Sequence, residues 1–457
     1  MAGIGFELRK ILRRDSYTAL LQAYAYAGLI SSGPWVLSIL GVLLIGVLAL
    51  GHVAPEKLIT QFQVSVTYLI SVSLVLTGLL QLGFTRYIAD RLFEKDGRRV
   101  LPNLSGALFV TTGVSGVLGV LLLFLLFSEQ SLLYKILMLG SFVSLCNIWI
   151  VTIFLSSIKA YKAILGLFAL GYGTTVLMAL WLKEYGLEGL LAGFFTGHVV
   201  LLTGMLMLSL RDHPSNRYLE FDFMGRGRMY RSLLLVGLFY NLAIWVDKYI
   251  FWMHPDTSQA IIGPLRASVI YDMPIFLAYL AIIPGMAVFL VRLETDFVEF
   301  YEKFYDAVRD GGTLQHIENM RNEMVFHARQ GIQEIIKIQS ITVLAVFVAA
   351  PALLGLLGIS ELYLPLLYVN VVAVSLQVVL LGVLNVFFYL DQRRILVLLV
   401  SIFLFGNLVF TTLSIGLGAP FYGYGFALAL LIAVITGLRL LDRKLDSLEY
   451  ETFMLQK

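Results

Sequence analysis

Residues 20–49 read LLQAYAYAGLISSGPWVLSILGVLLIGVLA, thirty residues without one charged side chain. A helix needs about 20 apolar residues to cross roughly 30 Å of hydrocarbon at about 1.5 Å per residue. The run is far longer than the core of a signal peptide, and no small-x-small cleavage site closes it at the expected distance. It therefore reads as a retained spanning helix. Ahead of it, GIGFELRKILRR (residues 3–14) carries Arg9, Lys10, Arg13 and Arg14 on an amphipathic pattern, which suits a helix lying on the cytoplasmic leaflet.

The rest of the 457 residues follows the same rule. With 59% hydrophobic residues, 14% charged residues and a mean hydropathy of +0.86, the chain has too little polar surface to coat a soluble globule of its size. The sequence predicts an all-α polytopic membrane protein. Twelve windows qualify as spans, near 20–49, 60–83, 104–127, 136–158, 163–182, 189–210, 232–252, 267–290, 338–358, 366–390, 395–417 and 423–441.

Orientation follows from the basic residues, which are retained on the cytoplasmic side. Alternating the spans puts 28 of the 33 lysines and arginines on the face that holds both termini, and leaves only Lys57, Lys135, Lys183 and Arg266 on the other, with Lys248 inside a span. Both termini are thus expected in the cytoplasm. Six spans precede the loop RDHPSNRYLEFDFMGRGRMYR (211–231) and six follow it. The expected plan is an N-terminal lobe over 1–211, a basic linker over 212–231 and a C-terminal lobe over 232–457, as in transporters that hold substrate between two bundles.

Several chemistries are disfavoured. One cysteine, Cys146, allows no internal disulfide and no cysteine-rich metal site. The histidines (His52, His198, His213, His254, His316, His327) are scattered, and only His198 falls well inside a span, where a hydrogen-bonded packing role is the simpler reading. No G-x-x-x-x-G-K-[ST] sequence occurs, so direct use of ATP is not indicated. Glu220-Phe221-Asp222 imitates the acidic metal site of a glycosyltransferase, but such a tripeptide arises readily by chance. Basic loops within a balanced net charge of +3 speak for topology and lipid headgroups, not for nucleic acid. No cofactor is expected.

Polar side chains inside spans mark a path. Tyr17, Tyr24, Ser31 and Ser38 recur every seven residues with Gly28 and Trp35 between them, on one face of span one. Thr60, Gln63, Thr67, Ser71, Gly78, Gln81 and Thr85 do the same on span two, and Asn241, Trp245, Lys248 and Trp252 on span seven. Hydroxyls, amides and flat rings suit a neutral sugar, whose apolar C–H face stacks on aromatics. The competing reading is close helix packing, which small and polar residues also promote in lipid.

Asp247, Lys248 and Asp272 are expected at similar depth where spans seven and eight meet. They read either as an ion pair fastening that hairpin or as a site coupling transport to a proton or cation. Gly33-Pro34, Pro274, Pro284 and Pro351 fall within spans as kinks, with a hinge role open. Between spans eight and nine, the loop 291–337 carries an amphipathic helix with Phe297, Phe300, Tyr301, Phe304 and Tyr305 on one face, then a break at Gly311-Gly312 and a second helix. Its aromatic face reads as a dock for a protein partner or as a surface folded back on the bundle.

The opening MAGIGFELRKIL, the following YAGLISSGPW (26–35) and the twelve-span plan with a long loop after span eight resemble the PelG-like inner-membrane transporters of bacterial Pel exopolysaccharide assembly. The resemblance implies membership of the MOP flippase superfamily, with two six-helix lobes that open alternately and a cavity lined by spans one, two, seven and eight. It also implies a polymer rich in N-acetylgalactosamine, made by the cytosolic glycosyltransferase PelF, and the membrane partners PelD and PelE, of which PelD senses cyclic-di-GMP. The lack of an arginine-rich cavity sets the chain apart from flippases of pyrophosphate-linked lipids and fits a neutral polymer. Three functions follow in order of preference: export of nascent polysaccharide, a non-transporting scaffold for the synthase, and a membrane-embedded transferase. A flippase for a lipid-linked oligosaccharide is a variant of the first.

Overall fold

The structure, a computed structural model, describes residues 16–49, 55, 57–158, 160–212, 215, 217–225, 229–356 and 358–454. The basic segment expected to lie on the leaflet, together with His52 and His213, lies outside the described residues. Apolar runs of the expected length form helices throughout: α1 (Tyr17–Ala49), α2 (Lys57–Phe93), α3 (Val100–Leu126), α4 (Leu132–Ser157), α5 (Tyr161–Trp181), α6 (Gly186–Asp212) and α7 (Arg231–Met253). A short antiparallel hairpin follows, β1 (Gln259–Ile262) and β2 (Leu265–Ala267). Then come α8 (Val269–Tyr279), α9 (Ile282–Val291), a π-helical turn (Arg292–Phe297), α10 (Val298–Arg309), α11 (Leu314–Leu356), α12 (Leu364–Tyr389), α13 (Arg393–Leu417), α14 (Tyr424–Asp446) and α15 (Leu448–Met454). Among the described residues eleven helical segments are long and apolar enough to cross a membrane, or twelve when the bent first helix counts as one span. The chain is a multi-pass membrane protein.

Contacts divide the chain into two compact units. One is Pro34–Val269; the other joins Met1–Gly33 to Ile270–Lys457. The expected lobes, 1–211 and 232–457, follow chain order, whereas packing groups α7 and the hairpin with α2–α6. The cause is local. At the crossing of α2 and α7, a Cβ on Gly78 would come within 2.8 Å of the Gly237 carbonyl oxygen, so the two backbones touch with no side chain between them. In the other unit, Gly28 of α1 sits against Ala287 of α9, where a Cβ would lie 3.4 Å from the alanine methyl. The unit boundary falls between Gly33 and Pro34, inside α1.

The core of the first unit is aromatic and aliphatic. Phe62, Tyr134, Phe142, Phe194 and Leu190 form one cluster; Phe84, Tyr87, Phe154, Phe168 and Phe223 belong to a second. Phe223 explains the linker. Its ring lies edge-on to Phe84, its amide donates to Asn103 Oδ1 (3.2 Å), and the Glu220 amide donates to the Pro102 carbonyl (3.0 Å). Asp222 pairs with Arg99 (2.9 Å) and Glu220 with Arg217 (2.6 Å). The acidic tripeptide is therefore a strap of ion pairs and backbone bonds.

The second unit departs from a simple loop at 291–337. Helix α11 has 43 residues, about 65 Å at the helical rise and twice the hydrocarbon thickness. Span eight likewise continues through the π turn into α10, and the chain reverses at Gly311, whose φ of +69° suits glycine. Two spans thus extend as paired helices. Arg329 bridges Asp442 (3.2 Å) and Asp446 (3.0 Å) at the end of α14, and Arg321 reaches Glu449 on α15 (2.8 Å).

If the α2–α7 crossing holds the first unit together, Gly237→Val should destabilise it by about 3 kcal/mol through overpacking. Gly113→Val, where a Cβ would meet nothing within 4 Å, should be silent. Thermal unfolding of both variants in lipid nanodiscs checks the contrast, and equal melting temperatures would contradict it.

Candidate functional site on α2 and α7

Immediately beside the glycine crossing, polar side chains meet. Asn241 Nδ2 donates to the Gly237 carbonyl (2.9 Å) and to Gln81 Oε1 (3.3 Å), and Gln81 Nε2 donates to Thr77 Oγ1 (3.0 Å). Further along the same two helices, the Tyr249 hydroxyl bonds Ser71. Then Tyr68 stacks on Trp252 with ring centroids 4.5 Å apart, and Tyr249 and Trp245 approach the same indole at 5.5 and 6.3 Å. The face is a ladder of amides, hydroxyls and rings.

A charged pair sits in it. Asp247 and Lys248 are 0% and 1% exposed. Lys248 Nζ donates to the Ile244 carbonyl (2.9 Å) and to both oxygens of Asp247 (3.2 and 3.4 Å), and lies 5.5 Å from the Trp245 ring centre. Burial of two unit charges is tolerable only because each has a partner. Asp272 is half-buried in the first turn of α8, in the other compact unit.

The hairpin after α7 extends the face. Ile262 and Leu265 enter the core cluster of Phe62 and Tyr134, while Gln61 Nε2 donates to the Ile261 carbonyl (3.2 Å) and the Tyr68 hydroxyl to that of Arg266 (3.0 Å). Gly263 turns the hairpin with φ of +51°.

The predicted residues scatter among roles. Gln81, Asn241, Ser71, Trp245, Asp247 and Lys248 are brought together. Thr67 donates to the Gln63 carbonyl (2.8 Å) and Ser31 to that of Ala27 (2.8 Å), each within its own helix. Gln63 packs its amide on Gly46, and Ser38 is bonded by Tyr172 of α5. The Trp35 side chain lies outside the described residues. Tyr24 belongs to the second unit, where its hydroxyl meets Arg292, itself paired with Glu334 (2.6 Å) and Asp296 (2.9 Å).

Sequence reasoning missed Tyr68, Tyr249 and Arg266. Tyr249 had a signal, since 245, 249 and 252 share a helical face; Arg266 had none without the hairpin. His198 is buried with Nδ1 on the Phe194 carbonyl (2.7 Å), a packing arrangement. The aromatic residues of 297–305 pack within the chain. Phe297 and Phe304 are fully buried, Phe300 stacks on His327 (4.3 Å), Tyr301 donates to the Tyr389 carbonyl (3.0 Å) and Tyr305 lies 4.7 Å from Tyr301. The aromatic side of α10 is thus turned onto α11 and α12 of the same chain.

Span eight is a broken helix, with Pro284 just past the break between α8 and α9. Gln339 of α11 donates to the Ile282 carbonyl in the first turn of α9 (3.4 Å) and accepts from Ser375 of α12 (3.0 Å).

The architecture matches solved membrane transporters. An outward-facing multidrug resistance MATE family transporter of the MOP superfamily superposes with a TM-score of 0.65 at 13% identity, covering 93% of this chain and 96% of the other. A MOP superfamily transporter from Pyrococcus furiosus gives 0.62 at 14% identity over 93% and 96%. A MATE structure in the bent conformation gives 0.65 at 14% identity over 98% and 97%. The fold is that of MOP superfamily transporters. Residues 1–453 match the family described as "PelG: Putative exopolysaccharide Exporter (EPS-E)", and the chain belongs to that family. No curated protein matches it in sequence.

For the buried pair, removing one partner takes a counter-charge from the other. Asp247→Asn should cost about 3–5 kcal/mol, whereas Asp247→Asn with Lys248→Met should recover most of it. Denaturant unfolding in nanodiscs measures both; a double variant as unstable as the single one would show that the pair does more than neutralise itself.

Proposed function

We propose that this chain carries a nascent, neutral polysaccharide rich in N-acetylhexosamine across the bacterial inner membrane. The observation that carries the reading is the ladder on α2 and α7. The half-buried rings of Tyr68 and Tyr249, backed by the buried Trp252, offer apolar aromatic surface for sugar C–H groups, and the half-buried amides of Gln81 and Asn241 offer exchangeable hydrogen bonds, with Thr77 and Ser71 buried behind them. Such a surface binds each sugar weakly and repeatedly, which a moving polymer requires. The transporter fold and the exporter family agree with it.

In this reading both termini and the paired helices α10 and α11 face the cytoplasm, where a PelF-type glycosyltransferase hands over the chain and PelD and PelE complete the assembly. Asp272, together with Asp247, is assigned to any coupling to an ion gradient. A scaffold reading draws on one observation, the extension of α10 and α11 beyond the length that a bilayer needs.

Inverted vesicles holding this chain and its synthase separate the two. Radiolabelled N-acetylgalactosamine polymer should reach the lumen only with the intact chain, and Tyr68→Ala with Tyr249→Ala should reduce lumenal product about tenfold or more at equal total synthesis, as expected for loss of two stacking contacts. Unchanged lumenal product would contradict transport along this face. Asp272→Asn should abolish any dependence on the gradient while leaving insertion intact.

A further inference from the structure

Helices α5 and α6 touch along their middles and part at one end. A Cβ on Gly197 would come within 2.6 Å of the Gly171 carbonyl oxygen, and one on Gly193 within 2.3 Å of the Ala179 amide nitrogen. Toward Tyr161 and Asp212 the packing opens, because Gly166 has no side chain and a Cβ there would meet nothing within 4 Å. The result is a cleft of about 430 Å³, in which Ala163, Gly166 and Leu167 of α5 stand across from Gly204, Met207 and Leu208 of α6. It opens on the outer side of the unit, where Leu170 and Leu177 of α5 and Met207 and Leu210 of α6 are all more than half exposed. Both helices are long and apolar enough to cross a membrane, so this side meets hydrocarbon. An apolar cleft offers no polar partners to hold water, and left empty it forfeits dispersion contacts along its lining. An acyl chain, thin and flexible, restores them.

Charge selects the kind of lipid. Arg211, 74% exposed, stands at the mouth of the cleft in the last turn of α6, and Lys162 is exposed in the first turn of α5, one residue before Ala163. Asp212 takes the Nε–H of Arg211 (2.8 Å), which leaves the N–H groups on both Nη atoms for another acceptor. A phosphate suits them, because guanidinium and phosphate oxygens match in geometry as well as in charge. The mouth also lies at the end of the two spans that the distribution of basic residues assigns to the cytoplasm, where basic groups between spans meet anionic headgroups. We propose that the cleft between α5 and α6 is a binding site for an anionic phospholipid, with one acyl chain along Gly166 and Gly204 and the phosphodiester on Arg211. A zwitterionic lipid fits less well, since its choline brings a further cation to a rim that already holds Arg211 and Lys162. None of the lining residues belongs to α2 or α7, so the site stands independently of what the chain transports.

Native mass spectrometry of the full chain in detergent, titrated with phosphatidylglycerol or phosphatidylcholine of identical acyl chains, tests this. The intact protein should retain a phosphatidylglycerol about fivefold more tightly than a phosphatidylcholine, the size of a single like-charge contact near a surface. Arg211→Gln should bring the two affinities within about twofold, and Arg211→Lys should keep part of the preference. Gly166→Leu fills the cleft from a position with open space around it, and should weaken both lipids about threefold or more at an unchanged melting temperature. Gly113→Leu, equally open but on α3, should bind as the intact protein does. Glycerol phosphate, which has the phosphate without the chains, should not displace the lipid. Equal affinities for the two lipids in the intact protein, a preference unchanged in Arg211→Gln, binding unaffected by Gly166→Leu, or displacement by glycerol phosphate would each overturn the proposal.

Discussion

Direct contact between the backbones of α2 and α7 at Gly78 and Gly237 is the constraint on which the candidate surface depends. In lipid there is little hydrophobic gain from pairing two helices, so a close crossing has to be held by packing and interhelical hydrogen bonds. The two glycines let the axes approach until the Asn241 amide reaches Gln81, and that approach brings the rungs above it into register. With side chains at the crossing, Ser71 and Tyr249 would separate, and Tyr68 would lose its stack on Trp252. The hairpin then closes the end of the face by using Tyr68 as a shared ligand. Packing, polar satisfaction and sugar chemistry here depend on the same few residues.

The second unit handles an opposite problem. Span eight breaks between Tyr279 and Ile282, and a bare carbonyl in the interior of a membrane protein is costly. Gln339 donates to the Ile282 carbonyl at the start of α9, and Ser375 holds Gln339 by donating to its Oε1. Lower on the same span a π turn aims Arg292 at Glu334 and Asp296 while Glu294 takes hydrogen bonds from Asn385 (2.6 Å) and Tyr389 (3.0 Å). A π turn widens the helix by one residue per turn and is often found where a span serves a function. Here it points Arg292 toward α11 and Glu294 toward α12.

Much of the fold was legible because hydropathy in a membrane protein reports burial in lipid directly, and the helices follow the apolar windows closely. Pairing across the bundle was not legible in the same way. The seven-residue spacing placed Ser31 and Thr67 on a polar face, yet both hydroxyls turn back to carbonyls of their own helices, a choice that spacing cannot distinguish from exposure to a path. Gly78 and Gly237 carried the decisive information, but a glycine in an apolar helix declares close contact without naming its partner. Arg266 was visible only as one of four basic residues on the sparsely charged face. Its setting depends on a hairpin whose strands, four and three residues long, are too short to stand out between two spans. In the 291–337 segment the amphipathic pattern was readable, while the occupant of its aromatic face, the chain's own α11 and α12, was a tertiary fact.

The central claim is that polymer moves along α2 and α7. Its most direct test places a photo-crosslinking amino acid at Tyr68, Tyr249 or Asn241, and as a control at the outward-facing Met207, during synthesis of radiolabelled polymer in inverted vesicles. The account predicts light-dependent attachment of polymer at all three ladder positions and none at Met207. Label absent from the ladder, or equal at Met207, while polymer still accumulates in the lumen, would place the path elsewhere.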